Sequence, residues 1–209
     1  MAKYRESSCR ICRKEGAKLF LKGERCHSDK CAFDRRPYGP GQHGKDRKRV
    51  TNYRIQLREK QKVKFMYGLL ESQFRLFYVR ASKKKGATGE NLLNLLERRL
   101  DNVVYRLGMA ASRMQARQLV NHRHFTVNGK ATDIPSYIVR KGDVVQIKEG
   151  SRTNPVFKAA LEYAGERTAV PAWLQLEKEA FKGIVLREPE RADMPADVKE
   201  NLIIELYSK

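Results

Sequence analysis

The sequence has no long apolar run, no secretory signal and no lipidation motif, and it contains a single tryptophan. A membrane-spanning helix needs about 20 consecutive apolar residues, and a signal peptide needs a shorter apolar stretch after a basic start. The sequence also lacks a glycine-rich nucleotide loop and a triad-like set of catalytic residues. We therefore expect neither a membrane protein nor an enzyme.

Acidic residues are few compared with basic ones. The 209 residues include 44 Lys+Arg and 24 Asp+Glu, for a formal net charge of +20. The net charge is +13 over residues 1–64 and +8 over residues 65–149, but −1 over residues 150–209. A dispersed basic excess fits a polyanionic partner, through phosphate neutralisation and counterion release. We interpret the basic part as nucleic-acid binding and the neutral C-terminal part as packing on protein.

Cysteine is confined to the first 31 residues, as Cys9-x2-Cys12 and Cys26-x4-Cys31. Two close pairs separated by a loop allow four thiolates to hold one zinc ion in a closed structural site. Neighbouring cations favour the thiolate form and offset its negative charge. These cations are Arg10, Arg13, Lys14, Arg25 and Lys30.

Three other interpretations of the cysteines are an iron–sulfur cluster, disulfide bonds, and a metal site in which a histidine replaces one cysteine. A four-iron four-sulfur cluster uses the same four ligands and fits the same spacing. Disulfides would need an oxidising compartment, which nothing in the sequence indicates. His27 or His43 could replace one ligand, but with four cysteines present we expect both at the surface or facing phosphate.

Residues 34–49 contain two prolines and three glycines, which argues against a helix or a strand. We interpret them as a basic arm that offers cations and backbone amides to phosphates; the alternative is a linker that orders only on RNA. Helical patterns follow from about residue 52 to residue 84. The positions expected in the core of this part are Phe74, Phe77, Tyr78 and Ala81, with a weaker set of Ile55, Val63 and Met66.

The stretch Leu96–Lys130 predicts two helices followed by a hairpin. In the first helix the apolar residues recur on one face, and Arg99, Asn102 and Arg106 fall on the other. Ser112 and Gln115 have the spacing of a capping box that starts the second helix. The core side of this helix is expected to be Ala116, Leu119 and Val120. Its outer side is expected to carry Arg113, Arg117 and Gln118. Strand 125–127 then leads into Asn128-Gly129, a pair that favours a two-residue hairpin turn. Two basic helices joined by a short polar turn form a platform for phosphates.

Later segments predict further short strands at residues 136–140, 144–148, 183–187 and 202–207. Residues 155–164 suit a helix with Val156, Ala160 and Leu161 inward. The fold class is therefore α+β, with a cysteine-rich metal-bound segment, a helical domain, and an RNA-binding module of helices packed on a small antiparallel sheet.

We place the domain borders where the composition changes. Residues 1–45 are the metal-bound segment and arm, residues 46–97 the helical domain, and residues 98–189 the RNA-binding module with its extension. The tail 190–209 is expected to pack back on the helical domain.

The residues expected to contact RNA are cations and polar side chains of these segments. They are Arg10, Arg13, Lys14, Arg25, Arg35, Arg36, His43, Lys45, Arg47, Lys48, Arg49, Arg54, Arg58, Lys62, Lys83, Lys84, Lys85, Arg99, Asn102, Arg106, Ser112, Arg113, Gln115, Arg117, Gln118, His122, Arg123 and Lys130.

The stretch Leu96–Lys130 resembles the small RNA-binding module of small-subunit ribosomal protein four, which also occurs in some RNA-modifying enzymes and a tRNA synthetase. With the cysteine pairs, PYGPGQHG, QLREKQKVKFMYG, TGENLLNLLERRLDNVVYRLGM and LIIELYSK included, nearly the whole chain resembles the bacterial-type family of that ribosomal protein, also called uS4. The four cysteines are similar to those of its metal-bearing branch.

This resemblance implies a structural constituent of the small ribosomal subunit, located in the cytoplasm. It implies a primary ribosomal-RNA binder that nucleates assembly of the 5′ domain, contacts the neighbouring small-subunit protein five, lies near the point where mRNA enters, and influences decoding accuracy. Some members of the family also repress their own operon.

Two alternatives remain at this point. Arg99-Leu100-Asp101 superficially resembles the catalytic aspartate motif of pseudouridine synthases, but it lies inside the module with no catalytic domain around it. A free regulatory RNA-binding protein, acting as a translational repressor, is the stronger alternative, and cosedimentation with small subunits discriminates between the two roles.

Overall fold

The computed structural model describes residue 4 and residues 6–46, 49–167 and 169–208, with the backbone alone at 166 and 167. Contacts divide the chain into two compact units, residues 1–92 with 196–209 and residues 93–195. The fold is α+β, as predicted. In the described residues, no helix combines the length and apolar character that crossing a bilayer requires.

The first unit is helical. Its helices are α1 Ser8–Glu15, α2 Ala32–Arg35, α3 Asn52–Met66, α4 Glu71–Ser82, the start of α5 Thr88–Glu97, and the last helix Glu200–Tyr207, with 3₁₀ turns at Gly23–Cys26 and Gln42–Lys45. The Thr51 hydroxyl accepts from the Arg54 amide at 3.2 Å and caps the start of α3. Helix α3 packs against both α1 and the last helix. Val63, Phe74 and Ile203 are fully buried in this unit.

The second unit packs helices on one antiparallel sheet. Its elements are the end of α5, α6 Leu100–Arg106, α7 Arg113–Asn121, β1 Phe125–Val127, β2 Lys130–Ala131, β3 Val144–Ile147, α8 Pro155–Arg167, β4 Leu174–Glu177 and β5 Lys182–Val185; the last helix of the chain, Glu200–Tyr207, is therefore α9. The strand order is β2-β1-β3-β5-β4. Leu100, Val104, Phe125 and Trp173 are fully buried in the core between the helices and the sheet.

The hairpin and the close helix–sheet contact both depend on glycine. Asn128 and Gly129 have φ of 51° and 79°, as the predicted two-residue turn requires. A Cβ on Gly183 would overlap the side chain of Leu107, the residue that follows α6, so the end of this helix lies directly on β5. The prediction of a turn at Asn128-Gly129 is thus confirmed.

The predicted first helix of the module is interrupted. Helix α5 ends at Glu97 and α6 begins at Leu100, because Arg99 adopts an extended backbone (φ −67°, ψ 137°) and bridges to Ile138. Arg99 and Asn102 are buried, so their placement on an outer helix face is wrong. The strand predicted at residues 136–140 is likewise reduced to this single bridge.

The C-terminal apolar run is a helix rather than the predicted strand. Residues 202–207 lie in α9, where Ile203 is buried and Tyr207 stacks on Tyr78 with ring centroids 4.5 Å apart. An apolar run of six residues fits either structure locally, and packing on α3 favours the helix. Strand β4 was not predicted.

Some core positions also differ from their prediction. Ile55 is exposed and Gln56 is buried on α3, while Val156 is exposed and Phe157 is buried on α8. Val63 and Met66 on α3 and Ala160 on α8 are buried as predicted, so only one position near the start of each helix differs.

Candidate nucleic-acid interface

Glu97 is the centre of a polar network at the junction of α5 and α6. Its buried carboxylate accepts two hydrogen bonds from Arg106, from Nε at 3.0 Å and from Nη2 at 2.7 Å. The amide of Asn102 donates to the same carboxylate at 2.7 Å and to the Glu97 carbonyl at 2.8 Å. A paired guanidinium–carboxylate fork fixes orientation as well as charge.

The network continues to α7 through Asn102. The Nε of Arg113 donates to the Asn102 side-chain oxygen at 2.7 Å, and the Arg113 guanidinium lies over the Tyr105 ring, 4.5 Å from its centroid. Arg106 and Arg113 are both partly exposed. Two cations at the surface of the module are therefore held in place by one buried carboxylate.

A second buried group surrounds Asp101. Its carboxylate accepts from Nε of Arg99 at 3.0 Å and from Nη2 of Arg99 at 2.6 Å. Burial lowers the pKa of Arg117, while the nearby Asp101 carboxylate raises it and Arg99 lowers it. Arg117 is only 5% exposed, so its placement on the outer side of α7 is wrong. Arg99 and Arg117 are held inside the module rather than presented at its surface.

The predicted capping box is half formed. The Ser112 hydroxyl accepts from the Gln115 amide N–H at 3.2 Å. The Gln115 side-chain oxygen accepts from the Ala111 N–H at 2.7 Å, one residue before the expected donor. Gln118 is exposed on α7, as predicted.

In the first unit, Arg13 attaches the arm to α1. Its Nε and Nη2 donate to the carbonyls of Tyr38 and Gly39 at 3.0 and 3.3 Å. The cations of Arg13 and Lys45 lie 5.2 and 5.0 Å from the Tyr38 ring centroid. The arm therefore has a defined conformation here, and its 3₁₀ turn at Gln42–Lys45 corrects the prediction of an arm without helix.

The four cysteines are free thiols, and the described residues contain no group of three or more His, Cys, Asp or Glu side chains arranged as a formed metal site. Even so, Cys9, Cys26 and Cys31 all act electrostatically on Cys12. Burial raises the pKa of Cys12 and Cys26, and the neighbouring sulfurs add to the effect. The Lys22 N–H donates to the Cys26 sulfur at 3.3 Å. Binding of a metal by these four sulfurs stays a prediction.

The predicted RNA contacts fall into four groups by position. Those exposed are Arg10, Lys14, Arg25, Arg35, Arg36, His43, Lys45, Arg49, Lys83, Lys84, Lys85, Gln118, His122, Arg123 and Lys130. Those partly exposed are Arg13, Arg54, Arg58, Lys62, Arg106, Arg113 and Gln115. Those buried are Arg99, Asn102, Ser112 and Arg117. Arg47 and Lys48 lie outside the described residues. Contact with RNA stays a prediction for every member of these groups.

Several of these side chains have partners inside the first unit or the hairpin. Arg58 pairs with the buried carboxylate of Glu15 at 3.0 Å, and burial raises the pKa of that carboxyl while Arg58 lowers it. Lys62 pairs with Glu59 at 2.9 Å and Arg123 with Asp133 at 2.8 Å. Lys83, Lys84 and Lys85 form no ion pair with the part of the chain that the structure describes.

The buried carboxylates of Glu97 and Asp101 are not among the site residues that the sequence predicts. Glu97 contacts Arg106 across the break between α5 and α6, and Asp101 on α6 acts on Arg117 of α7, so no helical spacing connects either carboxylate to that arginine. Tyr53 and Tyr105, which lie beside cations, were also missed.

Glu97→Gln is expected to lower the free energy of unfolding by about 1–3 kcal/mol, because Arg106 loses its charged hydrogen-bond acceptor. Affinity for ribosomal RNA should fall severalfold, since Arg106 and Arg113 are no longer held in one orientation. Denaturant unfolding and filter binding measure the two effects.

Glu177→Gln is the matched control, because Glu177 pairs with Lys182 in a partly exposed position of the same unit. This control should change neither the free energy of unfolding nor the affinity for ribosomal RNA appreciably. Equal RNA affinity of the Glu97 variant and the unaltered protein would contradict a positioning role for Glu97.

Comparison with known families covers most of the chain. The family described as "Ribosomal protein S4/S9 N-terminal domain" matches residues 3–97, and the S4 domain matches residues 98–145. Proteins named "Small ribosomal subunit protein uS4" from Geobacter sulfurreducens and Oleidesulfovibrio alaskensis are 58% and 57% identical over 209 residues, covering 100% of each chain. The relative of that name from Acetivibrio thermocellus is 56% identical over the same length. The chain therefore belongs to the uS4 family of small-ribosomal-subunit proteins.

Proposed function

We propose that this chain is a structural constituent of the small ribosomal subunit, that it binds the subunit's RNA in the cytoplasm, and that it is not an enzyme. The observation that carries the proposal is the match at 56–58% identity, over the full length of each chain, to relatives named as small-subunit proteins. The basic surface supports it, because exposed cations occur along both units.

Cosedimentation tests this role. The native protein should travel with small subunits at moderate salt and should be released only at high salt, since phosphate contacts weaken as salt rises. Recovery of the protein entirely outside ribosomal particles would contradict the proposal and favour a free translational repressor.

The triple variant Lys83→Gln, Lys84→Gln and Lys85→Gln is expected to bind ribosomal RNA more weakly and with a shallower salt dependence. Each lost duplex phosphate contact removes about 0.9 from the slope of log K against log salt. These lysines are exposed after the end of α4, so the melting temperature should stay nearly constant. Filter binding over a salt series gives the slope.

A control removes the same charge elsewhere. Lys158, Lys178 and Lys199 are exposed in the nearly neutral C-terminal part, and their triple change to Gln lowers the net charge equally. If this control reduces the slope as much as the Lys83–Lys85 variant, binding depends on net charge alone rather than on a defined surface.

We also propose finer roles that the family resemblance suggests. The protein nucleates assembly of the 5′ domain, contacts small-subunit protein five, lies near the point where mRNA enters, and influences decoding accuracy. The net charge of −1 over residues 150–209 supports a protein partner for that part of the chain.

We further propose that Cys9, Cys12, Cys26 and Cys31 hold one structural zinc ion, with a four-iron four-sulfur cluster as the alternative. The spacing of the two cysteine pairs, the N–H donated to the Cys26 sulfur and the nearby cations support a site of four thiolates. Bound metal would fix the loop between the two cysteine pairs and orient Arg10, Arg13 and Arg25.

A further inference from the structure

A cleft of about 720 Å³ opens in the first unit between α1, the arm and the start of α3. Three chain segments that are far apart in the sequence supply its walls. The residues on which the argument depends are Arg13, Lys14, Tyr53, Arg54 and Arg58. The volume lies in the range of pockets that hold small organic ligands, which is about 300–1,000 Å³.

The cleft is positively charged. Its lining contains four cations and two carboxylates, Glu15 and Asp46. Glu15 is paired with Arg58, and Asp46 accepts from His43 at 2.7 Å. Arg13 and Arg54 donate to backbone carbonyls, which orient a guanidinium without neutralising its charge. The remaining positive charge is therefore available to an anion.

The lining of the cleft includes an aromatic residue. Tyr53 lies in the first turn of α3, next to Arg54, and is 58% exposed. An exposed aromatic ring beside cations suits stacking of a nucleobase whose phosphate meets the cations.

The arm supplies another part of the lining, and its backbone is tightly packed there. Gly44 packs against Gly39 so closely that a Cβ on Gly44 would overlap the Gly39 carbonyl. Because Arg13 bonds to the carbonyls of residues 38 and 39, this turn of the arm is fixed at the rim of the cleft.

We propose that this cleft binds one unpaired nucleotide of the ribosomal RNA, with its base stacked on Tyr53 and its phosphate against Arg54 and Lys14. The inference rests on the proposed function, and it adds a defined subsite for a single-stranded base to a surface otherwise suited to duplex phosphates. The combination of charge and aromatic ring distinguishes this subsite from a site for a simple anion.

The test uses the full chain and a full-length transcript of the small-subunit ribosomal RNA. Tyr53→Ala should lower affinity about fivefold or more and leave the salt slope unchanged, because it removes a stacking surface and no charge. Tyr53→Phe should retain the affinity. Arg54→Gln should reduce the slope by about 0.7, the contribution of one single-strand phosphate contact. Ultraviolet crosslinking with mass spectrometry should find a nucleotide attached to Tyr53.

Leu76→Ala is the control, because Leu76 is also 58% exposed on a helix of the same unit, and it should bind as the unaltered protein does. If the unaltered protein binds the transcript while Tyr53→Ala binds equally well and no crosslink forms at Tyr53, the subsite is overturned and the proposed function stands. If the unaltered protein does not bind the transcript, both are overturned. If Tyr53→Ala lowers the melting temperature, the crosslink on the unaltered protein decides instead of the variant's affinity. A crosslink at Tyr53 supports the subsite, and the absence of that crosslink overturns it.

Discussion

Asp101→Asn is expected to lower the free energy of unfolding of the second unit by about 3–5 kcal/mol, because it leaves buried guanidinium charge without its carboxylate. Asp101 accepts two hydrogen bonds from Arg99, which is fully buried. Burial lowers the pKa of Arg117, and the nearby Asp101 carboxylate opposes that lowering. Asparagine keeps the shape of the side chain, so the loss reports charge rather than packing. Urea unfolding followed by Trp173 fluorescence measures it, since Trp173 is buried in the same core.

Asp133→Asn is the matched control for this prediction. Asp133 also pairs with an arginine, but Arg123 and Asp133 are 72% and 40% exposed. Solvent screens such pairs, so the expected loss is under about 1 kcal/mol. Equal losses for the two variants would mean that water or a rearranged side chain replaces the Asp101 carboxylate, and the buried group would then have no special structural role.

The buried pair of Arg99 and Asp101 lies at the break between α5 and α6, which the sequence does not predict. The sequence predicts that the first module helix continues past Arg99, because the apolar positions keep helical spacing on both sides of it. The break depends on the bridge between Arg99 and Ile138, and the Leu100 N–H donates to the Tyr137 carbonyl at 2.8 Å. A contact across nearly forty positions leaves no local pattern.

Where local pattern and packing agree, prediction succeeded. Ala116, Leu119 and Val120 on α7 are buried as predicted, and the strand 125–127 leads into the predicted turn. These features depend on side-chain period and on the positive φ that Asn and Gly tolerate, and both are visible in a short stretch of sequence.

The candidate site was predictable in its charge but not in its organisation. Most of the predicted cations outside the module helices are exposed, because a hydrated lysine or arginine seldom lies fully buried. The cleft beside Tyr53 joins α1, the arm and α3, and Glu97 joins α5 to α6 and α7. Such sites form only when distant segments pack together.

Removing the proposed metal ligands should affect the first 31 residues far more than the rest of the chain. Cys9→Ser with Cys12→Ser is expected to abolish binding of about one zinc per chain, as measured by elemental analysis. The segment should also lose protease protection, because binding of a structural zinc supplies roughly 10–16 kcal/mol in small zinc domains. RNA affinity should fall as Arg10, Arg13 and Arg25 lose their orientation.

The main thermal transition should change little in this variant. Helices α3, α4 and α9 bury apolar residues of their own, such as Val63, Phe74 and Ile203, and this burial does not depend on the metal. Ser28→Ala, an exposed change in the same segment, serves as the control and should leave metal content and protection unaltered.

The possible outcomes distinguish zinc from the iron–sulfur cluster and test whether the bound metal has a structural role. If protein prepared without oxygen contains iron with labile sulfide, the bound group is the iron–sulfur cluster and not zinc. Both groups are held by four thiolates. Absence of any metal from such a preparation, or global unfolding of the double serine variant, would contradict a locally structural zinc site. Lost metal with intact protease protection would show that the contacts of α1 with α2 and α3 hold the segment by themselves.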